Sequence, residues 1–283
     1  MPQQQGTHDD AGMLELFERL ALEAGRRILE IRDRGTTAET KPDSSPVTEA
    51  DRAAEAIILA GLRAALPETG CVAEEEVAAG IVCDTREGAF ILIDPLDGTR
   101  EFIGGKPDFT VNIALVRDGA PVVGTVYAPA RGEIFSGRPG RATFAAVGPD
   151  FSLRGRREIA VRDLPGRPTV VASRSHRTPE TDAFIANLGE AEICSIGSSL
   201  KFGLLARGDA DFYPRLGRTM EWDTAAGDAV LRAAGGQTLT LDGKPLVYGK
   251  RNQADDADFA NPWFFACGRA LPSSEALQAC SAR

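Results

Sequence analysis

Four apolar residues, Phe90-Ile91-Leu92-Ile93, run directly into Asp94-Pro95-Leu96-Asp97-Gly98-Thr99, and no other stretch limits the fold so sharply. An apolar run of that length bounded by turn residues predicts a buried strand that stops at Asp94. Pro95 has no N–H for a sheet ladder, so a turn is expected there. Asp94 and Asp97 then leave the strand end close together, with the Leu96 carbonyl between them. Gly98 permits a tight bend, and the amides from Gly98 onward are expected to open a helix whose free N–H groups attract an anion. Two carboxylates, a carbonyl and an amide cradle so close in sequence suit a hard cation bridging to phosphate. The plainer reading makes Asp94 a turn residue and Asp97 a helix cap.

The flanking chain supplies the candidate partners. Apolar residues at Phe17, Leu20, Ala21, Ala24, Ile28 and Ile31 predict a helix from Leu14 to Arg34, stopped by Gly35. Thr36 to Ser45 reads as a loop. Thr48-Glu49-Ala50-Asp51 resembles a capping box ahead of a helix through Ile57, Ile58, Leu62 and Leu66, and helix capping by itself explains Asp51. Cys71-Val72-Ala73 predicts a short strand running into Glu74-Glu75-Glu76. Three consecutive acids form a solvated face, or one of them points into a site at the strand end.

Beyond the central motif, Phe109 to Val116 and Val122 to Tyr127 read as strands joined at Asp118-Gly119, and Glu133-Ile134-Phe135 continues an antiparallel meander. Gly137 to Arg157 shows little periodicity and is taken as the lobe boundary. The second half alternates: strands at Thr169–Ala172, Ala191–Ser195, Asp211–Tyr213, Gln237–Leu241 and Trp263–Ala266, and helices from about Pro179, over Leu200–Ala206 and from Glu221. That alternation predicts an α/β lobe with mostly parallel strands. The expected organisation is a disordered leader (1–10), an N-terminal α+β lobe (11–155) and a C-terminal α/β lobe (156–283).

Composition narrows the function. A formal net charge of −9 argues against a nucleic-acid polymer as partner, while a phosphorylated small substrate stays open because divalent cations reverse the sign of a pocket. Five scattered cysteines without a C-x-x-C and only two histidines, His8 and His176, argue against a disulfide framework or a zinc site and for a reducing, cytoplasmic setting. No apolar run reaches the length of a membrane span, so no integral membrane segment is expected; peripheral contact at the inner membrane is left open. Glu74, Asp94, Asp97 and Asp223 each sit at a strand end or helix start, where α/β folds build sites. Two bare carboxylates about 4 Å apart repel by about 4 kcal/mol at an effective dielectric near 20. Such acids are either dispersed over the surface or share cations, and oxygen-only ligation points to Mg²⁺ or Mn²⁺.

The D-P-x-D-G-T core, the upstream P-V-T-x-A-D (Pro46 to Asp51), the strand-plus-Glu-Glu segment and the W-D-x-A-A-G (Trp222 to Gly227) occur in one order. Together they resemble the inositol monophosphatase-like family of metal-dependent, lithium-sensitive phosphatases, from about Leu14 to Gly268. Lys41 to Pro46, Gly98 to Phe102, Gly197 to Phe202 and Glu221 to Gly227 look most like its 3′(2′),5′-bisphosphate nucleotidase branch, which serves bacterial sulfate assimilation. Arg100 departs from the Lys usual there, and Glu76 from Ser or Asp.

The resemblance implies a layered α/β/α/β/α sugar-phosphatase fold with the site between the lobes. It implies that Glu74, Asp94 and the Leu96 carbonyl hold one Mg²⁺, that Asp94, Asp97 and Asp223 hold a second, and that a third, weaker ion sits near Glu74. Thr99 then orients a water with Asp51 accepting its hydroxyl proton, making Asp51, Glu74 and Thr99 the catalytic set. Gly98 and Thr99 amides, with Leu96, Asp97 and Asp223, border the phosphate. For a second phosphate the candidates are His176, Lys201 and Arg215; the plainer readings are a turn residue for His176 and a solvated helix lysine for Lys201. The implied reaction cleaves 3′-phosphoadenosine 5′-phosphate to AMP and phosphate, with 3′-phosphoadenylyl sulfate as a further substrate. Alternatives are an inositol-1-phosphate or fructose-1,6-bisphosphate phosphatase, or a non-catalytic phospho-ligand sensor. The family contains monomers and homodimers.

Overall fold

The computed structural model describes residues 9–35, 37–41, 46–85, 88–173 and 177–281. Helix α1 (Asp10–Arg34) starts at an Asp9 cap, whose carboxylate accepts the Gly12 amide at 2.8 Å, and ends at Gly35 with φ of 79°. Asp10 of the expected leader is thus already helical. The face predicted from periodicity, Phe17 to Ile31, is buried. The expected loop 36–45 contributes a short strand, β1 (Ala38–Thr40), paired antiparallel with β2 (Pro46–Thr48). Strands of three residues are too short to leave a periodic pattern. Helix α2 (Glu49–Ala65) opens on the predicted capping box.

Strands β3 (Gly70–Ala73) and β4 (Ala89–Asp97) are parallel, with the one-turn helix α3 (Glu74–Ala78) between them. Strand β4 does not stop at Asp94. Asp94 faces Asn112 and Asp97 faces Thr110, so four residues of β4 oppose three of its neighbour. Pro95 sits in this bulge, where a missing N–H breaks no regular ladder bond. After the short helix α4 (Thr99–Ile103), the chain forms the meander β5 (Thr110–Arg117), β6 (Ala120–Ala128), β7 (Glu133–Arg138), β8 (Arg141–Val147) and β9 (Leu153–Glu158). Asp118 and Gly119 both take positive φ, 50° and 73°, as the predicted hairpin turn needs. The stretch expected as a lobe boundary is instead the last two strands of this seven-stranded sheet, and residues 155 and 156 both lie within β9. Strand β9 is an exposed Arg-rich edge, so it carries no alternation for a sequence reading to find.

The second sheet is built from β10 (Thr169–Ser173), β11 (Glu192–Ile196), β12 (Phe212–Arg215), β13 (Gln237–Thr240) and β14 (Phe264–Cys267), in the order β11-β10-β12-β14-β13. It is mixed rather than mostly parallel: β10 is parallel to β11 and β12, while β14 is antiparallel to β12 and β13. The first connections carry helices α5 (Pro179–Ala186), α6 (Leu200–Ala206) and α7 (Ala225–Ala233), as parallel crossovers need. The chain returns from β13 to β14 without one and so comes back antiparallel. Helix α8 (Ser274–Ser281) follows.

Three apolar clusters stack these parts. Helices α1 and α2 cover one face of the large sheet, α6 and α7 fill the space between the sheets, and α5 and α8 cover the outer face of the small one. This is the expected α/β/α/β/α layering. Helix α7 lies on bare backbone: a Cβ at Gly124 would stand 2.5 Å from the Ala226 carbonyl oxygen, and one at Gly137 2.6 Å from Val230 Cα. Among the described residues no helix is long and apolar enough to cross a membrane.

Candidate active site

The β4 bulge sets the first half of the site. Asp94, 1% exposed, accepts the Leu96 amide on Oδ1 at 3.0 Å, which folds the carboxylate back over the bulge. Gly98 follows in the left-handed region at φ of 95°, and a Cβ there would also stand 3.0 Å from the Asp108 carbonyl oxygen. Only glycine meets both demands, and the turn delivers Thr99 to the start of α4.

Asp51 is engaged through both carboxylate oxygens, one in the capping box and one at Thr99. Oδ2 accepts the Thr48 amide at 2.8 Å and the Thr48 hydroxyl at 2.7 Å, completing the capping box. Oδ1 stands 3.0 Å from Thr99 Oγ1, which is also 3.2 Å from the Leu96 carbonyl oxygen. Asp51 is 2% exposed, and burial pushes its pKa up against the donors from Thr48 and Thr99.

Glu74 is the first residue of α3. Its Oε1 accepts from Lys41 Nζ at 2.7 Å, and Glu75 Oε1 accepts from the same ammonium at 2.5 Å. The acidic run is therefore not a solvated face: Glu74 and Glu75 converge on a buried lysine, and Glu76 pairs with Arg63. Burial alone would lower the Lys41 pKa, but the two carboxylates outweigh it and hold the ammonium charged. The Glu55 carboxylate of α2 accepts the Glu75 and Glu76 amides at 2.8 and 2.9 Å, serving α3 where its own first residues offer no side-chain cap.

The far wall comes from the second sheet and α7. Ser199 Oγ lies 2.8 Å from Asp97 Oδ2 and 2.5 Å from the Asp223 carbonyl oxygen, and accepts from Asn112 Nδ2 at 2.9 Å. Asp223 lies just before α7, and its Oδ2 accepts the Met220 amide at 2.8 Å. Lys201 is buried rather than a solvated helix lysine: Nζ donates to the Ser198 carbonyl at 2.5 Å and stands 5.2 Å from the Tyr213 ring centroid. Burial pulls its pKa down to about 8, with Asp97 opposing and Arg215 assisting. Arg215 is buried too; Nη2 donates to the Arg218 carbonyl at 2.9 Å, and Nε has no hydrogen-bond partner. A cleft of about 240 Å³ joins the two halves, lined by Glu74, Asp97, Gly98 and Thr99 from the first and by Lys201, Arg215, Arg218 and Asp223 from the second.

The electrostatics of the cleft fit a hard cation. Burial and repulsion from Glu74, Asp97 and Asp223 hold the Asp94 carboxyl well above the usual carboxylate range. Burial and Asp97 raise Asp223, which stands within hydrogen-bonding reach of Asp94. Burial also raises Asp97, with Lys201 and Ser199 opposing. A buried acid facing three others is tolerable only when protons or cations sit among them. The donors are all oxygens, which suits Mg²⁺. In the side-chain positions of the structure, no three acidic, histidine or cysteine groups among the described residues already surround one point. Glu74 Oε1 is engaged by Lys41, and Asp223 is held through Oδ2 by the Met220 amide.

Of the four acids expected to converge, Glu74, Asp97 and Asp223 line this cleft with Thr99, while Asp94 is buried beneath it beside Asp223. His176 lies outside the described residues. Sequence reading gave no role to Lys41, Ser199, Asn112 or Arg218. The only trace of Asn112 is one amide inside the apolar strand Thr110–Arg117, which β-strand patterning does not flag.

A layered fold of this kind, with acids on a strand bulge facing a second lobe, defines a class of sugar-phosphate phosphatases. Residues 9–263 match the inositol monophosphatase family, and the chain belongs to it. The family is one of metal-dependent phosphatases, generally using Mg²⁺. The chain is 43% identical over 255 residues to the 3′(2′),5′-bisphosphate nucleotidase CysQ of Escherichia coli K12, covering 89% of this chain and 98% of that protein. Among solved structures it is similar to CysQ from Bacteroides thetaiotaomicron, at 35% identity and a TM-score of 0.74 over 92% of this chain and 98% of that one. It is also similar to an IMPase of Thermotoga maritima, at 25% identity and a TM-score of 0.75 over 95% and 96% of the two chains.

Proposed function

We propose that this chain is a Mg²⁺-dependent phosphatase that hydrolyses 3′-phosphoadenosine 5′-phosphate to AMP and phosphate, and that 3′-phosphoadenylyl sulfate is a further substrate. The observation that carries the reading is one cleft lined both by the acids Glu74, Asp97 and Asp223 and by the buried cations Lys201 and Arg215. A substrate with two phosphate groups suits it: one is cut beside the acids and the other is held by the cations. The names and near-complete coverage of the CysQ relatives support the nucleotide.

Glu74, Asp94, the Leu96 carbonyl, Asp97 and Asp223 would hold two or three Mg²⁺, which Mn²⁺ would replace. When bound, such ions neutralise phosphate charge and make water acidic enough to lose a proton near neutral pH. Thr99 donates its hydroxyl proton to Asp51 Oδ1, which leaves its lone pairs free to accept from the attacking water. The water proton passes through Thr99 to Asp51, whose raised pKa suits an acceptor. Water oxygen bonds to phosphorus, the bond from phosphorus to the ribose 3′ oxygen breaks, that oxygen takes its proton from solvent water, and Asp51 returns to solvent the proton it received. Gly98 and Thr99 amides border the phosphate oxygens.

Phosphate release with Mg²⁺ from the two nucleotides, inositol-1-phosphate and fructose-1,6-bisphosphate tests the reading. The nucleotides are expected to lead, and Asp94→Asn or Asp223→Asn to abolish turnover in a folded protein. A preference of about tenfold or more for inositol-1-phosphate would overturn the nucleotidase assignment. Binding without turnover would make the chain a sensor.

A further inference from the structure

Asp223 stands on no regular element. It lies in the segment Thr219–Thr224 between β12 and α7, and a second stretch, Gly249–Asn261, braces that segment from behind. The Glu221 amide donates to the Phe259 carbonyl at 2.8 Å and the Asn261 amide to the Thr219 carbonyl at 2.8 Å, around a bridge between Met220 and Ala260.

Two buried side chains complete the brace. Glu221 is 0% exposed, and its carboxylate accepts the Gly249 amide at 2.6 Å, the Lys250 amide at 2.9 Å and Lys250 Nζ at 2.7 Å. Asn261 is 4% exposed; Nδ2 donates to the Met220 carbonyl at 2.8 Å and Thr224 Oγ1 at 3.0 Å, while Oδ1 accepts from Lys250 Nζ at 3.1 Å. Met220 is the junction. Its carbonyl takes the Asn261 amide group and the Asp223 backbone N–H, at 3.2 Å, and its own N–H goes to Asp223 Oδ2. A buried ion pair gains little over apolar packing, but fixed donors and acceptors specify one geometry. A ligand on an irregular segment needs that support from outside its own element.

We propose that Glu221, Lys250 and Asn261 are positioning residues that act through Met220 to orient the Asp223 carboxylate toward the divalent cation. This rests on reading Asp223 as a ligand. None of the three needs to touch substrate.

The test is calorimetric titration of Mg²⁺ alone into the full chain without substrate, with thermal unfolding and steady-state kinetics alongside. Asn261→Leu and Lys250→Met are expected to weaken Mg²⁺ binding by about tenfold or more, as loss of a group supporting a metal ligand does. Their KM for substrate at saturating Mg²⁺ should stay unchanged, and Lys250→Arg should retain most of the affinity. Where Asn261→Leu yields no folded protein, Asn261→Ala carries the same expectation, since it removes the donors to Met220 and Thr224 without adding a charge. Wild-type Mg²⁺ affinity in these variants, even with a lowered Tm, overturns the proposal while the ligand reading stands. Wild-type affinity in Asp223→Asn removes the ligand reading, and this inference falls with it.

Discussion

Replacing Thr99 by Val exchanges a hydroxyl for a methyl of almost the same shape and removes one of the three donors that Asp51 receives. Two consequences can be sized separately. A hydrogen bond to a charged acceptor contributes roughly 1.5–3 kcal/mol, so losing this one from a buried carboxylate should cost about 2 kcal/mol of stability. That is a fall of several degrees in Tm. Removing a relay that positions the water and takes its proton should lower kcat by about 100-fold or more, some 2.7 kcal/mol on the barrier. Thr99→Ser keeps the hydroxyl and should stay within about threefold of the parent. Phosphate release from 3′-phosphoadenosine 5′-phosphate at saturating Mg²⁺, with thermal unfolding of the same samples, reads both quantities. A Val variant with kcat within about fivefold of the parent and a lowered Tm would refute the relay and leave Thr99 only a partner of the capping box.

Two further outcomes follow from the cleft and the layer packing. Burial and neighbouring acids push Glu74 up from 4.5 to about 8 and Asp223 from 3.8 to about 7, so without metal the folded chain holds more protons than the unfolded one across that window. Stability of metal-free protein should therefore fall as pH rises through it, and the gain in Tm on adding Mg²⁺ should be larger at about pH 8 than at about pH 5.5; an equal gain at both would contradict the clustering. Gly124→Ala should lower Tm by several degrees, since its Cβ would stand 2.5 Å from Ala226 O and 2.7 Å from Ala229 Cβ, and overpacking costs about 1–3 kcal/mol. An unchanged Tm would mean that α7 does not lie on that strand so closely.

Much of this was legible locally. The Thr48–Asp51 box, the Gly35 stop, the Asp118-Gly119 hairpin and the apolar faces of α1 and α2 are short-range signals, set by which backbone groups lack partners and which residues repeat at helical spacing. The acids at element ends were readable because strand ends and helix starts are where side chains can gather around a site. Element type was misread where no such signal exists: the exposed strand β9, the three-residue hairpin β1–β2, and the bulge that carries β4 past Pro95.

Composition, caps and periodicity by themselves determined which segments fold, which faces they bury and which acids reach element ends. Tertiary structure alone decided what those acids meet: Lys41 on Glu74, Ser199 between Asp97 and Asp223, and Asn261 behind Met220. The reason is range, because a hydrogen bond between distant segments is chosen by sheet register and by the stacking of layers, and neither leaves a mark on the neighbours of a residue in sequence.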